Sequence, residues 1–244
     1  MTTFLLVLFF AFFIAINVIN PFFVKAQTNG PCKKSLALKM AAATGYLITG
    51  ALAMIIARNF GKFAILMMIA LFLSWCGDLF LHLWQAKIFP AIGFLSFLSA
   101  HFVFIAAFLS VIGTLSPERG FITVPEIVFV LAFDLFFLLF SHKIGTEVKG
   151  LLLIPILLYA TVITTMLCKA AVMGILLIQA GTPNAVLTAV VAILGAVLFV
   201  ASDFSIAILM FNPKYKKHYK LKMFNMVTYF LSVPTLSALI MLVK

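Results

Sequence analysis

The sequence predicts an all-α fold: an integral membrane bundle of eight transmembrane helices with short loops and both termini on the same side. Residues 1–244 read as a single polytopic membrane domain. Three observations carry this. Hydrophobic residue types make up 65% of the chain and charged ones 9%, against about 45–50% and 25% in a soluble domain. The apolar residues fall into eight long runs, each near the ~20 residues that cross a bilayer. Short clusters of Gly, Pro, Asn and charged residues separate the runs, and such clusters do not comfortably continue a helix.

The first run, 3–24, has no basic start and is too long for the apolar core of a signal peptide, so it is expected to stay as a spanning helix. Asn29-Gly30-Pro31 turns the chain into the second run, 35–57, and Arg58-Asn59-Phe60-Gly61-Lys62 into the third, 63–82. The fourth covers 89–112. Ser116-Pro117-Glu118-Arg119-Gly120 leads to the fifth, 121–141, and the sixth covers 150–176 with Pro155 near its start. Gly181-Thr182-Pro183-Asn184 precedes the seventh, 184–210. Asn212-Pro213 opens the most basic loop, and the eighth run is 222–243. Small residues spaced along single faces (Ala41, Gly45 and Thr49; Ser96 and Ala100; Gly195, Phe199 and Ser202) read as seams where helix backbones approach.

The net charge of +11 comes from 17 Lys and Arg against 6 Asp and Glu. In a soluble chain it would suggest nucleic acid. Here the basic residues sit in short loops, where they set topology and meet anionic lipid, so no nucleic-acid partner is expected. With the N-terminus outside, the inner side holds Lys25, Lys33, Lys34, Lys39, Lys87, Lys143, Lys149, Lys214, Lys216, Lys217, Lys220 and Lys222. The outer side holds Arg58, Lys62, Arg119, Lys244 and, near a helix end, Lys169. The excess of basic loops inside places both termini outside or in a lumen, in a bacterial inner membrane or an internal eukaryotic one. Cys32, Cys76 and Cys168 are far apart and suggest neither a disulfide framework nor a zinc site.

Asp78, Asp134, Asp203 and His101 lie inside the apolar runs. A carboxylate at the bilayer centre costs about 2.5–3.5 kcal/mol on insertion scales, and such residues face a bundle interior and mark sites. A rise of ~1.5 Å per residue puts Asp78 roughly 6–8 Å from the inner boundary, Asp134 and Asp203 at about 10 Å and His101 at about 20 Å. The three carboxylates are on helices that run the same way and are expected to converge on one cavity. Ser74, Asp78 and His82 share a helix face, as do Gly93, Phe97 and His101. Asp78 has a plain alternative in pairing with His82, and Asp203 in a structural hydrogen bond. His101 has one as a satisfied core histidine, and Asp134 has only apolar neighbours in sequence.

Two buried carboxyls in different surroundings supply a general acid and a general base, a pairing suited to bonds that cleave through an oxocarbenium ion. The sequence has no GxSxG, HExxH or Walker motif. The spacing of Asp78, His82, His101 and Asp203 does not argue for a metal, and no metal or cofactor is expected.

Ser-x-x-Gly-Asp-x-x-Leu at Ser74–Leu81, the Gly93–His101 block and Gly-Ala-x-x-Phe-x-x-Ser-Asp-x-x-x-Ala at Gly195–Ala207 resemble the YhhN family of membrane proteins. The resemblance runs from about Lys39 to Tyr229. It implies a lysoplasmalogenase: hydrolysis of the vinyl ether of a lysophospholipid to a fatty aldehyde and a glycerophospho-ethanolamine or -choline, with no dissociable cofactor. The family's motif aspartates fall on Asp78 and Asp203. Asp203, taken as the deeper, is expected to be the acid and Asp78 the base, although the assignment reverses without conflict. Ser74, His82, His101 and Ser202 are expected to support the site. Lys39 matches a family lysine and is expected at the inner interface near the substrate phosphate. Tyr229 matches the first of a Tyr pair and is expected to orient a carboxylate. Phe104, Phe230 and Val233 stand where the family often has Tyr, Tyr and Gln, and Met40 where it has Pro, which removes hydrogen-bonding groups from the expected pocket. Two other readings fit the residues: a small transporter or lipid-binding protein with Asp78 and Asp203 as proton or ion sites, and an inactive scaffold.

Overall fold

The computed structural model describes all residues except 1, 29, 84, 85, 87, 147, 149 and 244. Asn29, Lys87, Lys149 and Lys244, used above for turns and orientation, lie outside the described residues. Among the described residues there are eight long helices: α1 (Thr2–Ala26), α2 (Lys33–Ala57), α3 (Lys62–His82), α4 (Phe89–Leu115), α5 (Val124–Lys143), α6 (Leu153–Gln179), α7 (Ala185–Phe211) and α8 (Tyr219–Leu242). Each is long and apolar enough to cross a membrane, so the chain is a multi-pass membrane protein.

Three helix starts differ from the sequence reading for local reasons. α5 starts at Val124, not 121, because Glu126 reaches back to accept from the Thr123 backbone N–H at 2.6 Å and from its hydroxyl at 3.0 Å. α6 starts at Leu153 after a short 3-10 turn, Gly150–Leu152, which leaves Pro155 in the first turn, where its missing N–H has no acceptor to lose. α8 starts three residues early because His218 Nδ1 accepts from the Leu221 N–H at 3.1 Å.

Helices α2, α3, α4, α6, α7 and α8 form a closed ring in which each packs on the next and α8 returns to α2. α1 lies outside this ring against α2 and α8, and α5 outside it against α6. Accordingly α5 buries little, with only Glu126 and Val130 counted as buried.

Close approach sets the ring's dimensions. A Cβ on Gly93 of α4 would lie 2.7 Å from the Leu81 backbone nitrogen of α3, and one on Gly195 of α7 would lie 2.7 Å from Leu236 Cδ2 of α8. The seam read at Gly195 is therefore a real helix contact, reinforced by Ser232 Oγ donating to Gly195 O at 2.7 Å. Pro234 inside α8 has no N–H for the Phe230 carbonyl, and Asn17 Nδ2 of α1 donates to that carbonyl at 3.3 Å.

Candidate active site

The buried polar groups concentrate at one end of the ring. Asp78 is in the last turns of α3 and is 1% exposed. Its Oδ2 accepts from Tyr46 of α2 at 2.9 Å and from Tyr229 of α8 at 2.6 Å. Its Oδ1 pairs with Lys39 Nζ at 3.1 Å. Three of about four carboxylate acceptor sites are thus taken, which is how a charge tolerates this depth.

Asp203, on α7, is held differently. Its Oδ2 accepts from Tyr159 of α6 at 2.5 Å, and among the described residues no Lys or Arg pairs with it. Its side chain is 13% exposed and that of Asp78 1%. What sets Asp203 apart is the missing cation.

Both aspartates line one cavity of about 480 Å³ inside the ring. Its polar wall is Lys39, Asp78, Tyr159, Ser202, Asp203, Asn225 and Tyr229; the rest is apolar, including Phe94, Phe97, Ile206 and Met226. The lining comes from the ends of α3 and α7 and the starts of α2, α4, α6 and α8. This is the end of the bundle whose loops and helix ends carry Lys33, Lys34, Lys143, Lys214, Lys216 and Lys217. Such a volume lies in the range of roughly 300–1,000 Å³ for small-molecule sites.

Of the other sequence-derived residues, Tyr229 binds a carboxylate as expected. Lys39 does not stand free at the interface: it is buried in the ion pair with Asp78. Ser74 donates to Ala70 O of its own helix at 2.9 Å, which satisfies its hydroxyl locally. His82 shares a face with Asp78 but bonds Ser35 at 2.8 Å, so it neither pairs with Asp78 nor lines the cavity. Ser202 is clipped to α8, with Asn225 Nδ2 donating to its carbonyl at 2.7 Å and its Oγ at 3.0 Å. His101 is buried, with Nε2 3.7 Å from Asp203 Oδ2.

The three carboxylates do not share one chamber. Asp134 is on the outlying α5 and is bonded by Thr161 at 2.7 Å and Thr164 at 3.0 Å, both on α6. It lines a second cavity, also about 480 Å³, between α5, α6 and α7. Tyr159 and Asp203 stand in the wall common to both cavities.

Phe104, Phe230 and Val233 are buried but none lines the first cavity. The residues missed from sequence are Tyr46, Tyr159 and Asn225. A usable signal existed: only five tyrosines are present, and the three away from the basic loop each donate to a buried aspartate.

A model of the YhhN family matches residues 33–238. The chain belongs to the YhhN family. The match starts with the first residue of α2 and ends within α8, so it takes in α2 to α7 and most of α8 but not α1. No curated protein and no solved structure matches the chain.

Proposed function

We propose that this YhhN-family protein is a membrane-embedded hydrolase that cleaves the vinyl ether of lysoplasmalogens to a fatty aldehyde and a glycerophospho-ethanolamine or -choline. One observation carries the reading: two aspartates from α3 and α7, in unlike surroundings, line one apolar cavity at the lysine-rich end of the bundle. A single-chain lipid enters such a cavity with its polar group towards the lysines.

Asp203, with no cation beside it, is the acid. Its proton passes to the outer alkene carbon, and the ether oxygen supports the resulting oxocarbenium ion. Water adds to the carbon bonded to the ether oxygen and yields a proton to Asp78, whose Oδ1 retains an acceptor site. The hemiacetal then collapses. Its hydroxyl proton goes to Asp203, Asp78 returns its proton to the departing glycerol oxygen, and both acids are restored. Lys39, Tyr46 and Tyr229 fix the Asp78 carboxyl against the cavity. This division of roles follows the acid–base pairing of other oxocarbenium enzymes.

The test uses the purified protein in detergent with lysoplasmalogen and no gradient. Aldehyde release that is lost in both Asp78→Asn and Asp203→Asn, with each variant folded, is the expected result. No release by the wild type, with gradient-driven uptake of lipid or protons in vesicles, would instead identify a transporter.

A further inference from the structure

His101 holds an atom with no assigned partner. The ring is fully buried in α4, and Nδ1 lies 2.6 Å from the Phe97 carbonyl oxygen. A carbonyl only accepts, so Nδ1 carries the hydrogen and a neutral ring leaves Nε2 as a bare acceptor. Nε2 has no hydrogen-bond partner among the described residues. It faces Asp203 Oδ2 at 3.7 Å. Phe199 and Tyr159 pack edge-on against the imidazole at 4.7 and 5.3 Å.

Two acceptors facing each other in an apolar interior repel, and an unsatisfied one costs about 1–3 kcal/mol. A single proton between them removes both penalties. Placed on the carboxyl it leaves both groups neutral, whereas an imidazolium–carboxylate pair would have to meet the desolvation of two charges. The separation is about 0.8 Å longer than a good hydrogen bond, so the bond requires the Asp203 carboxyl to turn towards Nε2.

We propose that His101 is a positioning residue that holds a proton on Asp203, its Nε2 accepting the hydrogen bond of the carboxylic acid. What that proton then does rests on the vinyl ether reading; where it sits does not. In turnover the Asp203 O–H bond breaks as a C–H bond forms at the alkene carbon. The proton recovered from the hemiacetal hydroxyl restores the O–H and its bond to Nε2. The titratable groups around the pair are Tyr159 on α6, which donates to the same Oδ2, and Asp78 on α3. Asp78, with Lys39 of α2 and Tyr229 of α8, lines the same cavity as Asp203.

Two substitutions separate this role from packing. His101→Phe keeps an aromatic ring against Phe199 and Tyr159 but has no acceptor. His101→Gln keeps an acceptor near the Nε2 position but loses the ring. The proposal expects kcat for lysoplasmalogen to fall on the order of 100-fold in His101→Phe, with KM little changed, and to fall clearly less in His101→Gln. Turnover of His101→Phe equal to or above that of His101→Gln overturns it. Infrared spectra of the protein without substrate give an independent measure. A protonated-carboxyl band that disappears in Asp203→Asn and shifts in His101→Phe is expected, and no such band overturns the proposal. If the band behaves so while the wild type releases no aldehyde, the vinyl ether reading falls and the proton placement stands.

Discussion

Replacing Lys39 by Met leaves Asp78 in its pocket without a cation. The side chains of the pair are 7% and 1% exposed, so bulk water is kept from the place of the lost ammonium. Breaking a buried pair by removing one partner costs about 3–5 kcal/mol. The hydroxyls of Tyr46 and Tyr229 still reach Asp78 Oδ2, which places Lys39→Met towards the lower end, near 3 kcal/mol. At about 2–4 °C per kcal/mol for a chain of this size, the melting midpoint falls by roughly 6–12 °C. The double variant Lys39→Met with Asp78→Leu removes both charges, and apolar replacement of a whole buried pair is close to neutral. Its midpoint should return most of the way to the wild type. The assay is thermal unfolding in detergent for the two single variants and the double variant. A Lys39→Met protein that melts with the wild type, or a double variant that loses the sum of the two single losses, refutes the idea that the pair is buried and coupled.

Other expectations are equally direct. Tyr159→Phe removes the hydroxyl on Asp203 and should lower kcat about tenfold, the equivalent of one ~1.4 kcal/mol hydrogen bond, read by aldehyde release. Glu126→Gln breaks the buried pair with Lys169 at 3.0 Å, far along α6 from the cavity; it should lower the melting midpoint while turnover at a permissive temperature stays near the wild-type rate. Gly93→Ala forces a methyl to within 2.7 Å of the α3 backbone and should destabilise by about 1–3 kcal/mol, seen as a lower melting midpoint. At the start of α2, the Ser35 backbone N–H donating to the Cys32 sulfur holds that thiol below its ordinary range. Since the thiolate is the reactive form, alkylation of Cys32 should persist to lower pH than that of buried Cys168, by mass-spectrometric labelling across a pH series.

Most of the architecture is written in the chain as hydropathy. An apolar run of spanning length admits few alternatives in lipid, so the eight helices emerge within a few residues of their expected ends. The start of α5 shifts because Glu126 caps it, a choice made by one side chain rather than by a run. Asp78 and Asp203 are legible for a related reason: a carboxylate stands out in hydrocarbon. Their partners do not stand out. Periodicity on α3 places Asp78 and His82 on one face, but four residues separate them by about 6 Å along the axis, enough for His82 to meet Ser35 while Asp78 meets Tyr46 and Tyr229. Which neighbour a face meets depends on how the ring closes, and only contacts between helices far apart in sequence reveal that. Asp134 shows the same limit: its run reads as a spanning helix, but the sequence does not reveal that α5 stands outside the ring.

The bond from Asn17 to the Phe230 carbonyl ties the fate of the last helix to the first. A chain trimmed ahead of α2 would retain every residue that faces the two aspartates, yet it would leave a lone oxygen in α8 bare in hydrocarbon, one residue past Tyr229. The first helix thus serves as a splint for a proline bend, and its loss should be felt first as slackness in the tyrosine that steadies Asp78.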